Sequence, residues 1–247
     1  MSLFSAIILG VVQGLTEFFP VSSSGHLVIA QSMIPGFVQP GVLFDVVLHG
    51  GTSLAVVYYF RERILSIKKK DVFVIAVGSI PAGLFGILFR SFFEILFAGI
   101  GVVGFALIIS GAMNYFTDKR VARRRFVGIT DAFLIGIAQA VAIIPGISRS
   151  GATIFTGTSL GVDRREAAEF SFILSVPAII GANAVELLNH GSANGPGVGY
   201  YLAGFMASFG VSLLAIRAVT RLLVERKFRI FSVYCILLGL LIIGIWL

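Results

Sequence analysis

The chain has 247 residues, of which 57% are hydrophobic and 13% charged, with a formal net charge of +7 and a mean hydropathy of +0.99. Soluble domains carry about a quarter charged residues, so this composition excludes an ordinary water-soluble fold and indicates an integral membrane protein. Cys235 is the single cysteine, which excludes an intrachain disulfide.

In chain order, the first apolar region, 3–33, is split in its middle by Pro, Ser and Gly, leaving arms of about a dozen residues, too short to cross about 30 Å of hydrocarbon. Its start lacks a basic n-region and a small-residue cleavage site, so it is expected to stay in the mature fold. Three runs of spanning length follow, 42–60, 72–89 and 95–116. A second split region, 131–160, and three more runs, 167–188, 198–216 and 230–247, complete the chain. The Gly, Ser and Asn stretch at 191–199 reads as an exterior loop. Broken arms of this kind suit re-entrant hairpins, whose irregular tips need protein or a wet cavity around them.

The two halves repeat. Gly10, Gln13, Ser22, Ser24, Gly25 and Phe44 recur at one constant offset as Gly136, Gln139, Ser148, Ser150, Gly151 and Phe170. Pro20 and Pro145 each precede a Ser-x-Ser-Gly run. The expected fold is therefore an all-α polytopic membrane protein, a single domain over 1–247 with repeats at about 1–117 and 127–247. Each half supplies one hairpin and three spans, and because three is odd the second half enters the membrane inverted. The charges agree with that topology. The segments 61–70, 119–125, 164–165 and 217–229 hold 17 of the 19 Lys and Arg, and the alternation places all four on one side, leaving Arg90 and Arg149 as exceptions. By the positive-inside rule that side is cytoplasmic, both termini face outward, and the hairpin tips meet near the midplane. The net positive charge thus reports topology and anionic lipid; nucleic acid is not expected as a partner.

The first tip, QGLTEFFPVSSSGH from Gln13 to His26, sets a carboxylate, three hydroxyls and an imidazole in apolar surroundings. An ionisable group at the bilayer centre costs roughly 2.5 to 3.5 kcal/mol, so Glu17 and His26 read as functional. Ser22 and Ser24 serve equally well as ligand groups or as caps of the second arm. The second tip, PGISRSGAT from Pro145 to Thr153, sets Arg149 between Ser148 and Ser150 at a half-helix N-terminus. Amides, hydroxyls and a guanidinium directed at one place describe an anion site, most naturally a phosphate; the plain alternative is an arginine that snorkels or pairs. Two such tips could hold the two phosphates of a diphosphate.

At these residues the sequence resembles the undecaprenyl-diphosphatase family, membrane enzymes linked to bacitracin resistance. Gln13 to His26 is similar to its (E/Q)GxTEFxPVSSxGH signature and Pro145 to Thr153 to its PGxSRSGAT signature, with FDVVLHGGTSLAVV from Phe44 and EFSFILSVP from Glu169 in support. The resemblance implies hydrolysis of a polyprenyl diphosphate to polyprenyl phosphate and inorganic phosphate, recycling the lipid carrier of cell-envelope synthesis. It also implies a plasma-membrane site open to the extracytoplasmic side and a divalent cation, Mg²⁺ or Ca²⁺. Carried over by position, the catalytic residues are Glu17, Ser23, His26 and Arg149. Ser22, Ser24, Gly25, Ser148, Ser150, Gly151 and Thr153 bind substrate, and Glu17 with Gln13 holds the metal. Many members have Glu where this chain has Gln13, whose amide oxygen can ligate but brings no charge.

The expected chemistry has Arg149 and the Ser148 to Gly151 amides on the diphosphate. Ser23, activated by His26 or Glu17, attacks phosphorus, or else His26 or a water does so. Asp45 and His49 share a face at i, i+4 and read as supporting or packing residues, Glu169 as a helix N-terminal charge, and Tyr side chains and Trp246 as interfacial anchors. Expected partners are the lipid diphosphate, membrane lipids and a second copy of the chain as a homodimer. A transporter or flippase for a lipid phosphate or other anion is the alternative function, because inverted repeats with broken helices also build transporters. Glu17, Ser23 and His26 beside the anion site discriminate against it.

Overall fold

The computed structural model describes residues 2–34, 42–89, 100–124, 126–190 and 197–246. Arg90, Arg125, the start of the run at 95, most of the 191–199 loop and the Trp246 side chain lie outside the described set. Among the described residues there are eleven helices and, apart from one isolated bridge between Arg124 and Val162, no strand pairing. In order they are α1 (Leu3–Thr16), α2 (Ser23–Ser32), α3 (Val42–Tyr59), α4 (Arg61–Leu65), α5 (Lys69–Leu88), α6 (Ile100–Thr117), α7 (Ile129–Val141), α8 (Arg149–Ser159), α9 (Arg164–His190), α10 (Val198–Val224) and α11 (Arg229–Trp246).

Both split regions are pairs of short helices. At about 1.5 Å per residue, α1 and α2 with 14 and 10 residues, and α7 and α8 with 13 and 11, fall short of the hydrocarbon thickness. Lys69–Leu88, Arg164–Val185 and Val198–Val224 are long and apolar enough to cross a membrane. The outer surface is correspondingly greasy: α5 buries only Val74, Gly78 and Pro81, while Leu88, Leu188 and Ile245 are largely exposed. Apolar surface on that scale calls for lipid, and the chain is a multi-pass membrane protein. The expected loop at 61–70 contains the single turn α4, which stops where the Ser66 amide turns back to the Glu62 and Arg63 carbonyls.

Close packing depends on glycine. A Cβ on Gly10 of α1 would stand 2.5 Å from the Gly204 carbonyl oxygen on α10, and one on Gly136 of α7 would strike the Gly78 carbonyl oxygen on α5. Gly78 and Gly204 are separated by the same offset as Gly10 and Gly136, so each half lays its first arm on a helix of the other half in the same way. Helices α6 and α11 meet similarly, with Gly104 and Gly239 each against the other's carbonyl. Such contacts let backbones approach where no hydrophobic drive acts between helices in lipid.

One end of the molecule is tied by polar bonds between the basic segments. Arg63 on α4 pairs with Glu169 at 3.0 Å and Glu166 at 3.9 Å on α9. Glu169, expected as a helix N-terminal charge, thus also makes an interhelix ion pair. Arg164 donates to the Thr117, Asp118 and Arg120 carbonyls, and the Arg229 amide to Asp118 Oδ2. Residues from all four basic segments therefore gather at this end.

Candidate active site

The first tip is anchored by aromatics. Phe18 is fully buried with its ring edge-on to Phe172 at 5.3 Å, and Phe19 packs on Phe231 at 5.1 Å. The Pro20 carbonyl accepts from Asn114 Nδ2 at 2.7 Å and from the Cys235 thiol at 3.5 Å, which fixes the turn to α6 and α11. Glu17 caps α1, with its amide on the Gln13 carbonyl. The chain re-enters a helix through Ser22, whose φ of +72° costs a non-glycine residue about 1 to 3 kcal/mol and marks the tip as held by its surroundings.

The second tip is built differently. Gly146 has φ +94°, and a Cβ there would meet the Val103 carbonyl at 2.6 Å and Ala106 at 2.7 Å, so only glycine fits. Ser110 of α6 donates to the Gly146 carbonyl and accepts from the Ser148 amide. Ser148 Oγ then accepts from the Gly151 amide at 3.1 Å and caps α8.

The tips touch. Pro20 Cβ lies 3.2 Å from the place of a Cβ on Gly151, and Ser150 Oγ donates to the Phe19 carbonyl at 3.4 Å. Across this contact Arg149 Nη2 donates to Glu17 Oε1 at 2.5 Å, with side-chain exposures of 17% and 5%. The other carboxylate oxygen, Oε2, accepts from Ser23 Oγ at 2.7 Å and from Gln13 Nε2 at 3.0 Å. Gln13 Nε2 also lies 3.0 Å from His49 Nδ1, which must accept there because the amide nitrogen only donates. Two buried atoms of this cluster have no hydrogen-bond partner among the described residues, Arg149 Nη1 and Gln13 Oε1. One is an unused guanidinium donor and the other an unused amide oxygen, each beside the same carboxylate.

Glu17, Ser23, Arg149 and Gln13 are thus brought together, and several expected groups are not. His26 meets neither Ser23 nor Glu17: Nδ1 donates to the Ser22 carbonyl at 2.8 Å, so Nε2 of the neutral ring accepts from Tyr234 O–H at 2.6 Å. The Ser148 and Gly151 amides are satisfied by Ser110 and Ser148, and do not await a ligand. Thr153 is fully buried, with its hydroxyl on the Arg149 carbonyl and on Ser171, and so supports the helix that carries Arg149. Ser22 and Ser24 hydroxyls lie 3.4 Å apart, without a capping bond from Ser22, and Gly25 packs toward Val103. His49 comes within 3.8 Å of Glu17, while Asp45 accepts from Gln31 at 3.3 Å. Asn114 and Ser110 escaped the sequence reading, a lone polar side chain within an apolar run being their only signal, and Tyr234, expected like the other tyrosines as an interfacial anchor, bonds His26 instead.

The family model described as bacitracin resistance protein BacA matches residues 6–241, which include both tips and every residue above. The chain belongs to the BacA family. Among its relatives, proteins named undecaprenyl-diphosphatase from Syntrophotalea carbinolica and Carboxydothermus hydrogenoformans are each 39% identical, over 97% and 98% of this chain respectively and 97% of each relative. One of the same name from Methanobrevibacter smithii is 37% identical over 98% of this chain and 97% of its own. The BacA match thus spans the joined tips as one unit.

Proposed function

We propose that the chain is an undecaprenyl-diphosphatase, a membrane enzyme that hydrolyses undecaprenyl diphosphate to undecaprenyl phosphate and inorganic phosphate and so returns the carrier lipid to cell-envelope synthesis. Family membership supports the activity. The observation that carries the mechanism is the Glu17 carboxylate held between Arg149 of one tip and Ser23 of the other.

In the proposed step Ser23 Oγ attacks the terminal phosphorus, a new Oγ–P bond forms, the bridging P–O bond breaks, and its electrons leave on undecaprenyl phosphate. Glu17 Oε2, already bonded to the hydroxyl, takes the proton. Neutralising Glu17 loosens its hold on Arg149, whose Nη2 then joins the unpartnered Nη1 on the phosphoryl oxygens as charge builds there. Glu17 gives the proton taken from Ser23 to the departing undecaprenyl phosphate, regains its charge and deprotonates a water. The water oxygen bonds to phosphorus, the Ser23 Oγ–P bond breaks, Ser23 Oγ takes the proton back from Glu17, and inorganic phosphate leaves. His26, held by Ser22 and Tyr234, shapes the tip in this scheme and is not the nucleophile.

Glu17 and the unused Gln13 amide oxygen would hold a divalent cation, Mg²⁺ or Ca²⁺. Its remaining ligands would come from phosphate and water, as suits a hard cation. When bound it would offset diphosphate charge.

The proposed architecture is one membrane domain of six spans and two re-entrant hairpins in inverted repeat. Reciprocal Gly10–Gly204 and Gly136–Gly78 packing and the gathering of the basic segments at one end support it. With that end cytoplasmic, the site opens outward from the plasma membrane. The test is release of phosphate from undecaprenyl diphosphate by purified protein in detergent with Mg²⁺ or Ca²⁺. Turnover is expected with both tips intact, and a protein that binds the lipid diphosphate without releasing phosphate would overturn the reading.

A further inference from the structure

A cleft lies away from the joined tips, at the basic end. It has a volume of about 220 Å³ and is lined by Lys119, Arg120 and Arg123 on one side and, on the other, by Ser159, the last residue of α8, and Gly161 just beyond it. Its walls are fixed by backbone bonds: the Arg123 amide donates to the Gly161 carbonyl at 2.8 Å and the Asp163 amide to the Arg124 carbonyl at 2.8 Å. The aliphatic stem of Arg123 lies along Gly161, whose φ is +84°. Two of the cations rest on aromatic faces, Lys119 over Tyr115 at 4.3 Å and Arg120 over Phe155 at 5.4 Å, which holds their heads in place without neutralising them.

The charge balance is the telling feature. Arg124 next door is matched by Asp131 through both guanidinium nitrogens, and Arg63 by two glutamates. Among the described residues no carboxylate pairs with Lys119, Arg120 or Arg123, and Ser159, an exposed residue, lines the same opening. Three unpaired cations and a hydroxyl around a fixed concavity match a phosphate group. Val121 and Phe126, exposed by 66% and 63%, flank this segment and offer apolar contact of the kind found where a loop rests on a bilayer surface.

We propose that this cleft is a binding site for the phosphate of an anionic membrane lipid, separate from the joined tips. Helix α8 carries Arg149 at one end and this cleft at the other, about 15 Å apart at 1.5 Å per residue, so the lipid would brace the helix on which the arginine stands.

The test uses the full chain in neutral detergent, with native mass spectrometry to count bound phosphatidylglycerol against phosphatidylcholine. Wild type should retain phosphatidylglycerol preferentially, and R120Q/R123Q should lose about thirty-fold in apparent affinity while still releasing phosphate from substrate. The charge-matched K69Q/K70Q, at the same end outside the cleft, should bind as wild type does. Ser159→Glu, which adds an anion at the opening and keeps every cation, should show the same loss if the double variant folds poorly. A parallel arm measures thermal stabilisation by inorganic phosphate. Stabilisation of wild type but not of R120Q/R123Q, without lipid preference, would assign the same phosphate chemistry to a free anion. Equal lipid loss in both double variants, or no discrimination by either probe, would overturn the proposal.

Discussion

The two tips share a sequence pattern and use it in opposite ways. In the second, the Ser-x-Ser-Gly run is structural: Ser148 caps α8, Ser110 closes the turn, and the bonds of the segment end within the protein. In the first, Ser22 makes no cap and sits at positive φ, and the neighbouring Ser23 reaches out to Glu17. The positions one offset on from Glu17, Ser23 and His49 are Ile143, Arg149 and Ser175. Gln139, the counterpart of Gln13, is 3% exposed with both amide atoms unpartnered among the described residues. At matching positions the first tip carries a carboxylate and a hydroxyl, and the second carries a single arginine that reaches the first tip's carboxylate.

That asymmetry can be broken one residue at a time. Ser23→Ala should have the largest effect, a loss of roughly 10⁴-fold in phosphate release, because both the nucleophile and its proton go. Activity within a few-fold of wild type would transfer the attack to water. Arg149→Ala should cost about 10³-fold, with Arg149→Lys recovering part of it, since a lysine restores charge but not the planar fork. The alanine variant should also unfold more easily, by about 3 to 5 kcal/mol, as Glu17 is left buried without its partner. Thermal melting alongside turnover separates the two effects, and an unaltered melt would show that the ion pair does not form.

The glutamines sharpen the contrast further. Gln13→Leu should lower turnover by roughly 10- to 100-fold, because it orients Glu17 and supplies the free amide oxygen. Gln139→Leu should leave turnover alone and raise stability by about 1 kcal/mol, since it removes a buried amide without partners. Equal losses from both would mean that the second frame also does chemistry. Smallest of all, Ser148→Ala should cost about 1 kcal/mol of stability as a lost cap, whereas Ser22→Ala, with no cap to lose, should not. Chemical denaturation of the pair checks this difference.

Much of the frame was legible in the sequence because membrane constraints are coarse and strong. Arm lengths set by bilayer thickness separated α1–α2 and α7–α8 from the longer helices, and Glu17, Gln13 and Ser23 fall together because they share one tip. What sequence could not reveal was how local polar groups are spent. Whether the Gly151 amide faces a ligand or the Ser148 hydroxyl depends on a side-chain rotamer, and whether His26 serves Ser23 or Tyr234 depends on a helix that lies more than two hundred residues away. His49 carried a partial signal, its i, i+4 partner Asp45, but its approach to Glu17 comes from helix packing. Asn114 and Ser110 gave less, since a single polar residue in an apolar run does not name its partner.

The most direct test asks whether the tips meet. Pro20→Cys with Gly151→Cys, in a Cys235→Ala background that removes the thiol beside Pro20, places two Cβ atoms about 3.2 Å apart, a few tenths of an ångström under the usual disulfide spacing of about 3.5 to 4.5 Å and within reach of it by a small shift. With a protease site inserted at the exposed Ala122, mild oxidation followed by cleavage should leave the halves joined until a reductant is added. Two free fragments after oxidation would contradict the account.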